Sequence, residues 1–216
     1  MAIPGLTSWA SRAVWLLAGV ALVCAALPVC MAGFAEDAAV PVPVYLVMGY
    51  TVSRDDYARA ARMLEASAPY SPRDYLTEAE AMTHLGASHK KVIATLEKGL
   101  AASPASVRGW TILAEQRAPT DRNGAAKALE QALVLAPFDY WLAGRRAHDA
   151  AGLWDALGHD ARDQAVIQAR LLWDEPLLRS EVAPFVKDPA GAALMSRALK
   201  DEPEEIRRLN RWMVGK

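Results

Sequence analysis

The sequence predicts an all-α protein: an antiparallel helix-pair solenoid with a non-repeat helical C-terminal cap, preceded by one N-terminal transmembrane or signal helix. Apolar residues recur at helical spacing, as at Val92, Ile93, Leu96 and Leu100. Helix-start signals also recur, in which a serine or an acidic residue stands just before a proline or a first turn. A third observation is a segment of small residues ending in proline, which occurs three times at separations of 35 and 33 residues.

Residues 1–35 are predicted to be a signal anchor or a signal peptide. Residues 13–34 carry no charge, and about 20 apolar residues are enough for a helix to cross a bilayer. Arg12 precedes this run, which places that end in the cytoplasm and the body of a bacterial protein in the periplasm. Gly33-Phe34-Ala35 offers the small residues that signal peptidase requires, so a cleaved signal and a soluble periplasmic protein are the alternative.

Residues 36–53 are predicted to be an extended apolar linker. Pro41 and Pro43 exclude a helix at its start, and residues 44–52 are apolar and rich in β-branched side chains. No partner strand is predicted elsewhere, so we expect this segment to lie against the helices. A membrane-proximal docking strand is the functional alternative.

Residues 54–158 are predicted to form helical repeats. In the first two repeats an aromatic residue, Tyr75 or Trp110, stands six residues after the proline that ends the small-residue segment. In the third repeat, Trp141 stands only four residues after the corresponding proline. The positions that resemble the tetratricopeptide repeat are Trp110, Leu113, Ala114, Ala125, Leu129, Ala132 and Pro137. This family has a period near 34 residues. The resemblance implies stacked helix pairs, since neither helix of a pair buries its apolar face alone.

The period fails beyond residue 158, so residues 159–216 are predicted to be a C-terminal helical capping region. One helix is expected from Asp160, a shorter one is expected to break at Pro184, and Pro189 and Pro203 open the last two. The anchor, the weak repeats and this tail together are similar to small repeat proteins of proteobacterial exopolysaccharide and O-antigen gene clusters. That similarity implies a role in envelope polysaccharide assembly or export.

Composition and motifs predict no catalytic, cofactor or metal site. Lys+Arg total 24 and Asp+Glu total 25, so there is no positive field to attract nucleic acid. Both cysteines, Cys24 and Cys30, lie in the apolar run, which excludes thiol catalysis and a disulfide framework in the body of the chain. Phosphate loops, nucleophile elbows and HExxH motifs do not occur in the sequence. We therefore predict a protein that is not an enzyme.

Equivalent positions in the three repeats carry residues suited to a binding groove. The predicted groove residues are Arg73, Glu80, Arg108, Glu115, Trp141, Arg145 and His148. Arginine and tryptophan lining a concave face would bind a carboxylate-bearing peptide end or an acidic sugar. A solvated face of alternating charges is the alternative interpretation. Arg145 and Arg146 form a second basic patch.

These features predict a membrane-anchored periplasmic scaffold whose partner is another envelope protein, membrane-bound or periplasmic. It would reach the inner membrane through residues 13–34. One alternative is an accessory subunit of an inner-membrane complex, in cytochrome or cell-wall assembly, that binds through the N-terminal helix and residues 44–52. Another is a periplasmic glycan-binding protein or helical enzyme, which would need a closed pocket with clustered acids.

Overall fold

The computed structural model describes residues 6–39, 52–71 and 73–214, and every regular element in these ranges is helical. The α-helices are α1 (Leu6–Ala39), α2 (Arg54–Ser67), α3 (Asp74–His84), α4 (His89–Ala102), α5 (Val107–Arg117), α6 (Arg122–Leu135), α7 (Ala143–Leu153), α8 (His159–Asp174), α9 (Arg179–Lys187), α10 (Pro189–Ala198) and α11 (Pro203–Val214). Short 3-10 turns lie at Tyr140–Leu142, Trp154–Ala156 and Pro176–Leu178. The all-α prediction is confirmed. The predicted extended segment, residues 44–52, lies outside the described residues except for Val52.

The chain folds as two compact units, Met1–Ser88 and His89–Lys216. The predicted repeat region, residues 54–158, therefore has helices in both units. Residues 159–216, predicted as a separate capping region, belong to the second unit. There α8 packs on α7, and α10 packs on both of them, because their buried faces complete one apolar core.

In the first unit, α1 is one long helix that contacts α2. Arg12–Phe34, 23 residues with a mean hydropathy of 2.4, is long and apolar enough to cross a membrane. The helix continues through Pro28 and past the predicted cleavage position, so residues 36–39, assigned above to the linker, are helical. Ala32 is only 4% exposed, because the end of α1 packs on α2.

The α2–α3 pair is fixed by polar contacts at its ends and by apolar packing between them. Ser53 caps α2: its Oγ accepts a hydrogen bond from the Asp56 amide at 3.1 Å. Ser71 does not cap α3, since the N-cap residue is Arg73 and supplies no side-chain bond. Instead, the buried Asp74 carboxylate accepts a hydrogen bond from Ser67 and so ties α3 to the end of α2.

In the second unit, successive helices pack in pairs around leucines and alanines. The principal pairs are α4–α5, α5–α6, α7–α8 and α9–α10. Val92, Leu96 and Leu100 of the predicted α4 stripe are buried, and Ile93 is half-buried. In α6, Leu129 and its neighbours on the same face are buried, because residues three and four apart share one side of a helix.

Most predicted helix starts in the second unit are confirmed, and one predicted break is wrong. Asp188 caps α10, and Pro189 takes the first helical position. Pro184 does not break α9, which continues to Lys187. The proline lacks only its own N–H, and the buried residues Phe185 and Val186 beside it keep the turn packed.

Two helical glycines provide a test of this packing. A Cβ atom at Gly191 would lie 2.1 Å from the Phe185 carbonyl oxygen, whereas nothing lies within 4 Å of one at Gly152. We expect Gly191→Ala to lower the free energy of unfolding by about 1–3 kcal/mol through overpacking. Gly152→Ala should raise it by up to about 1 kcal/mol, because alanine is the better helix former. Denaturant titration of both variants measures the difference, and equal effects would contradict the packing of α9 on α10.

Candidate binding surface

A buried arginine shapes the loop between α6 and α7. Arg146 is 0% exposed, and its guanidinium points at the carboxyl end of α6. Nη1 donates to the carbonyls of Ala136 at 2.6 Å and Ala132 at 3.3 Å, and Nη2 donates to that of Asp139 at 2.8 Å. The last carbonyls of a helix have no donors within the helix. Arg146 therefore adds side-chain donors at the end of α6 and in the loop, where the Ala132 carbonyl also accepts a hydrogen bond from the Ala136 amide.

Two further hydrogen bonds fix the same loop. The Gln168 side chain of α8 donates to the Pro137 carbonyl at 2.6 Å, and the Asp139 carboxylate accepts from the Trp141 amide at 3.1 Å. Burial lowers the pKa of Arg146, and the nearby Asp139 carboxylate raises it in part. The loop is thus held at several backbone positions from both neighbouring helices.

The second repeat holds its proline turn differently. There the indole of Trp110 donates to the Pro104 carbonyl at 2.7 Å. The matching position in the third repeat is Ala143, which has no such donor, and Gln168 reaches the Pro137 carbonyl instead. In the third repeat the proline carbonyl is therefore bonded by Gln168 and not by an aromatic side chain of the repeat.

The end of α6 and the loop after it expose apolar side chains that we call the aromatic surface. These are the aliphatic Val134 and Leu135 and the aromatic Phe138, Tyr140 and Trp141. Phe138 is 70% exposed and Trp141 is 63% exposed. The rings of Tyr140 and Trp141 lie against each other with centroids 4.7 Å apart. Exposed apolar clusters of this kind mark interaction sites on soluble domains.

A groove adjoins the aromatic surface, between α6 and the start of α8. Its cavity volume is about 500 Å³, and Leu133, Val134 and Pro137 line the α6 side. Gln164 of α8 lines the other side, and its buried Oε1 has no hydrogen-bond partner among the described residues. The groove therefore has an apolar wall on the α6 side and a polar side chain on the α8 side.

In the first unit, the predicted groove residues differ in accessibility. Arg73 is exposed at the start of α3, whereas Glu80 is buried in the same helix. A buried carboxylate does not fit the open face that the repeat alignment suggested. Whether Arg73 contributes to binding stays a prediction.

In the second unit, the structure brings two of the predicted residues together. Glu115 of α5 and Arg145 of α7 form a bidentate ion pair, so this guanidinium already holds a carboxylate. Arg108 is half-buried, whereas His148 and Trp141 are exposed. The arginine–tryptophan groove stays a prediction.

Asp149 is a titratable residue that the sequence did not single out. One turn beyond Arg145 on α7, its Oδ2 is buried without a hydrogen-bond partner among the described residues. Its pKa is raised to about 8, chiefly by burial and also by the Glu115 carboxylate, while Arg145 acts in the opposite direction. The carboxyl group is therefore protonated at neutral pH. The signal available in the sequence was an arginine and an aspartate four residues apart on one helix.

The comparisons with known proteins support the fold. The crystal structure of MamA protein, a tetratricopeptide-repeat protein, superposes with a TM-score of 0.51 at 15% sequence identity, covering 84% of this chain and 93% of that chain. No family model matches the sequence, and no curated protein matches it. The chain therefore has an all-α fold of sequentially paired helices similar to the tetratricopeptide arrangement.

The raised pKa of Asp149 predicts how stability changes with pH. Between about pH 4 and pH 8 the folded chain holds a proton at Asp149 that the unfolded chain releases, so this contribution to stability falls as the pH rises. Asp149→Asn removes the titration, and we expect the variant to gain stability relative to the natural chain from pH 5 to pH 8.5. Denaturant titrations at both values measure this. Asp160→Asn, at a fully exposed side chain, is the control, and a constant difference for Asp149→Asn would contradict the assignment.

Proposed function

We propose that this chain is a non-enzymatic scaffold, anchored in the bacterial inner membrane by α1, that binds a protein partner through the aromatic surface and the adjoining groove. Tethering confines the partner to the membrane plane and so raises its effective concentration. The observation that carries the proposal is a set of large apolar side chains exposed on a loop whose backbone is fixed by Arg146 and Gln168.

A fixed loop favours binding because the loop loses little conformational entropy when the partner binds. Tyrosine and tryptophan supply large contact areas with few rotatable bonds, and such residues dominate binding energies at protein interfaces. Here Tyr140 and Trp141 already contact each other. Apolar side chains of the partner would cover Phe138 and Trp141, and a neighbouring part of the partner would occupy the adjoining groove.

The anchor part of the proposal is supported by α1 itself. The helix runs unbroken past residue 35 to Ala39, and Ala32 is buried where α1 contacts α2. Cleavage after residue 35 would remove Ala32 and expose the side of α2 that it covers. Retention of the helix therefore fits the packing of the first unit better than removal.

For the pathway, we propose envelope polysaccharide assembly or export, with another envelope protein as the partner. Support comes from the likeness of the anchor, repeats and tail to the small repeat proteins described above. In this role the scaffold would hold one component of the assembly beside the membrane without acting on the sugar.

Photocrosslinking tests the proposed surface directly. We expect p-benzoylphenylalanine at position 138 of the full chain to form a discrete protein adduct in native membranes. The same probe at position 177 is the matched control, since Leu177 and Phe138 are each 70% exposed. Trp141→Ser should lower the yield of the adduct at position 138 roughly tenfold, as for loss of a central interface residue, while the melting temperature stays unchanged.

Other adducts would identify the alternatives. A protein adduct formed only from probes in α1 would overturn the surface and favour the accessory-subunit hypothesis. A carbohydrate adduct at position 138 would favour the glycan-binding hypothesis. Equal adducts at positions 138 and 177 would mean that the aromatic surface is not a specific site.

A further inference from the structure

The first unit contains a notch between α1 and α2 that the scaffold function does not use. The notch has a volume of about 530 Å³. Pro28, Met31 and Ala32 of α1 form its apolar wall. Arg59 and Arg62 of α2 line the opposite side. One wall therefore suits hydrocarbon, and the other suits an anion.

The position of the notch along α1 sets its depth in a membrane. The apolar stretch ends at Phe34, and a helix rises 1.5 Å per residue, so residues 28–32 lie about 3–9 Å inside that end. This is the boundary between the hydrocarbon and the headgroups, because the 23-residue stretch is about as long as the hydrocarbon is thick. Arginine side chains at this depth extend toward the lipid phosphates.

The charge of the notch is positive. Arg59 pairs with Asp56 at 3.3 Å, but both side chains are exposed, so this ion pair is weak. Arg62 has no ion pair among the described residues, and no acidic side chain lines the notch. Arg59 and Arg62 lie three residues apart on α2 and both line the notch, and guanidinium groups are well suited to bind phosphate oxygens.

We propose that this notch binds the headgroup of an anionic phospholipid in the leaflet where α1 leaves the membrane. Arg59 and Arg62 hold the phosphate, and the apolar wall of α1 contacts the first part of the acyl chains. The inference rests on the proposed function, because it requires α1 to remain as an anchor. Its consequence is that bound lipid fixes α2 at the membrane surface and makes the pose of the first unit depend on the anionic lipid content.

Lipid titration followed by native mass spectrometry tests this inference. The full-length protein in neutral detergent is titrated with phosphatidylglycerol and, separately, with phosphatidylcholine. We expect phosphatidylglycerol to bind roughly tenfold more tightly, a preference typical of two basic residues at a membrane surface. Arg59→Gln with Arg62→Gln should abolish the preference. Ala66→Trp, which fills the notch without changing charge, should weaken phosphatidylglycerol binding as well.

The controls separate a lipid site from general charge and from a phosphate site. Lys90→Gln with Lys91→Gln removes the same charge from exposed positions of α4 and should leave the preference intact; loss of the preference in this variant would overturn the proposal. Displacement of the lipid by glycerol 1-phosphate would show a site for free phosphate and also overturn it. An intact chain without a lipid preference contradicts this inference alone, whereas a chain that begins after residue 35 contradicts the anchor itself.

Discussion

Burial of the Arg146 guanidinium is the interaction on which the loop between α6 and α7 and the surface beside it depend. Removing such a charge from water costs several kcal/mol unless its donors are satisfied. Here the backbone carbonyls of Ala132, Ala136 and Asp139 accept hydrogen bonds from Nη1 and Nη2, whereas the buried Nε has no partner among the described residues. The negative end of the helix dipole stabilises the cation. The same bonds determine the course of the loop, because each carbonyl must face the buried guanidinium.

The exposed side chains follow from that loop. With the backbone of residues 136–139 turned toward Arg146 and Gln168, the aromatic side chains beside it are directed to solvent. Pro137 belongs both to the loop and to the wall of the groove. A buried polar network thus holds apolar side chains on the surface, where their exposure does not stabilise the fold. This arrangement is expected of a binding site.

The sequence predicted the features that depend on local chemistry. Residues a few positions apart determine the serine and aspartate caps, the apolar stripes that contain Leu96 in α4 and Leu129 in α6, and the long apolar run of α1. The burial of Arg146 was not predictable in this way. Adjacent residues on a helix point about 100° apart, so Arg145 faces Glu115 while Arg146 faces the end of α6. Only the packing of α6, α7 and α8 decides which of the two is buried. The burial of Glu80 and of the Asp149 Oδ2 atom likewise depends on how their own helices pack.

Hydrogen exchange across residues 134–142 measures whether Arg146 fixes the loop. If Arg146 fixes the loop, the amides of Asp139, Trp141 and Leu142 exchange slowly in the natural chain, since each donates within the loop. Arg146→Lys, which cannot reach three carbonyls at once, should speed their exchange roughly tenfold or more. Arg122→Lys, at an exposed arginine with one carbonyl acceptor, should not. Exchange in the natural chain as fast as in an unstructured peptide, or no change in Arg146→Lys, would contradict the account.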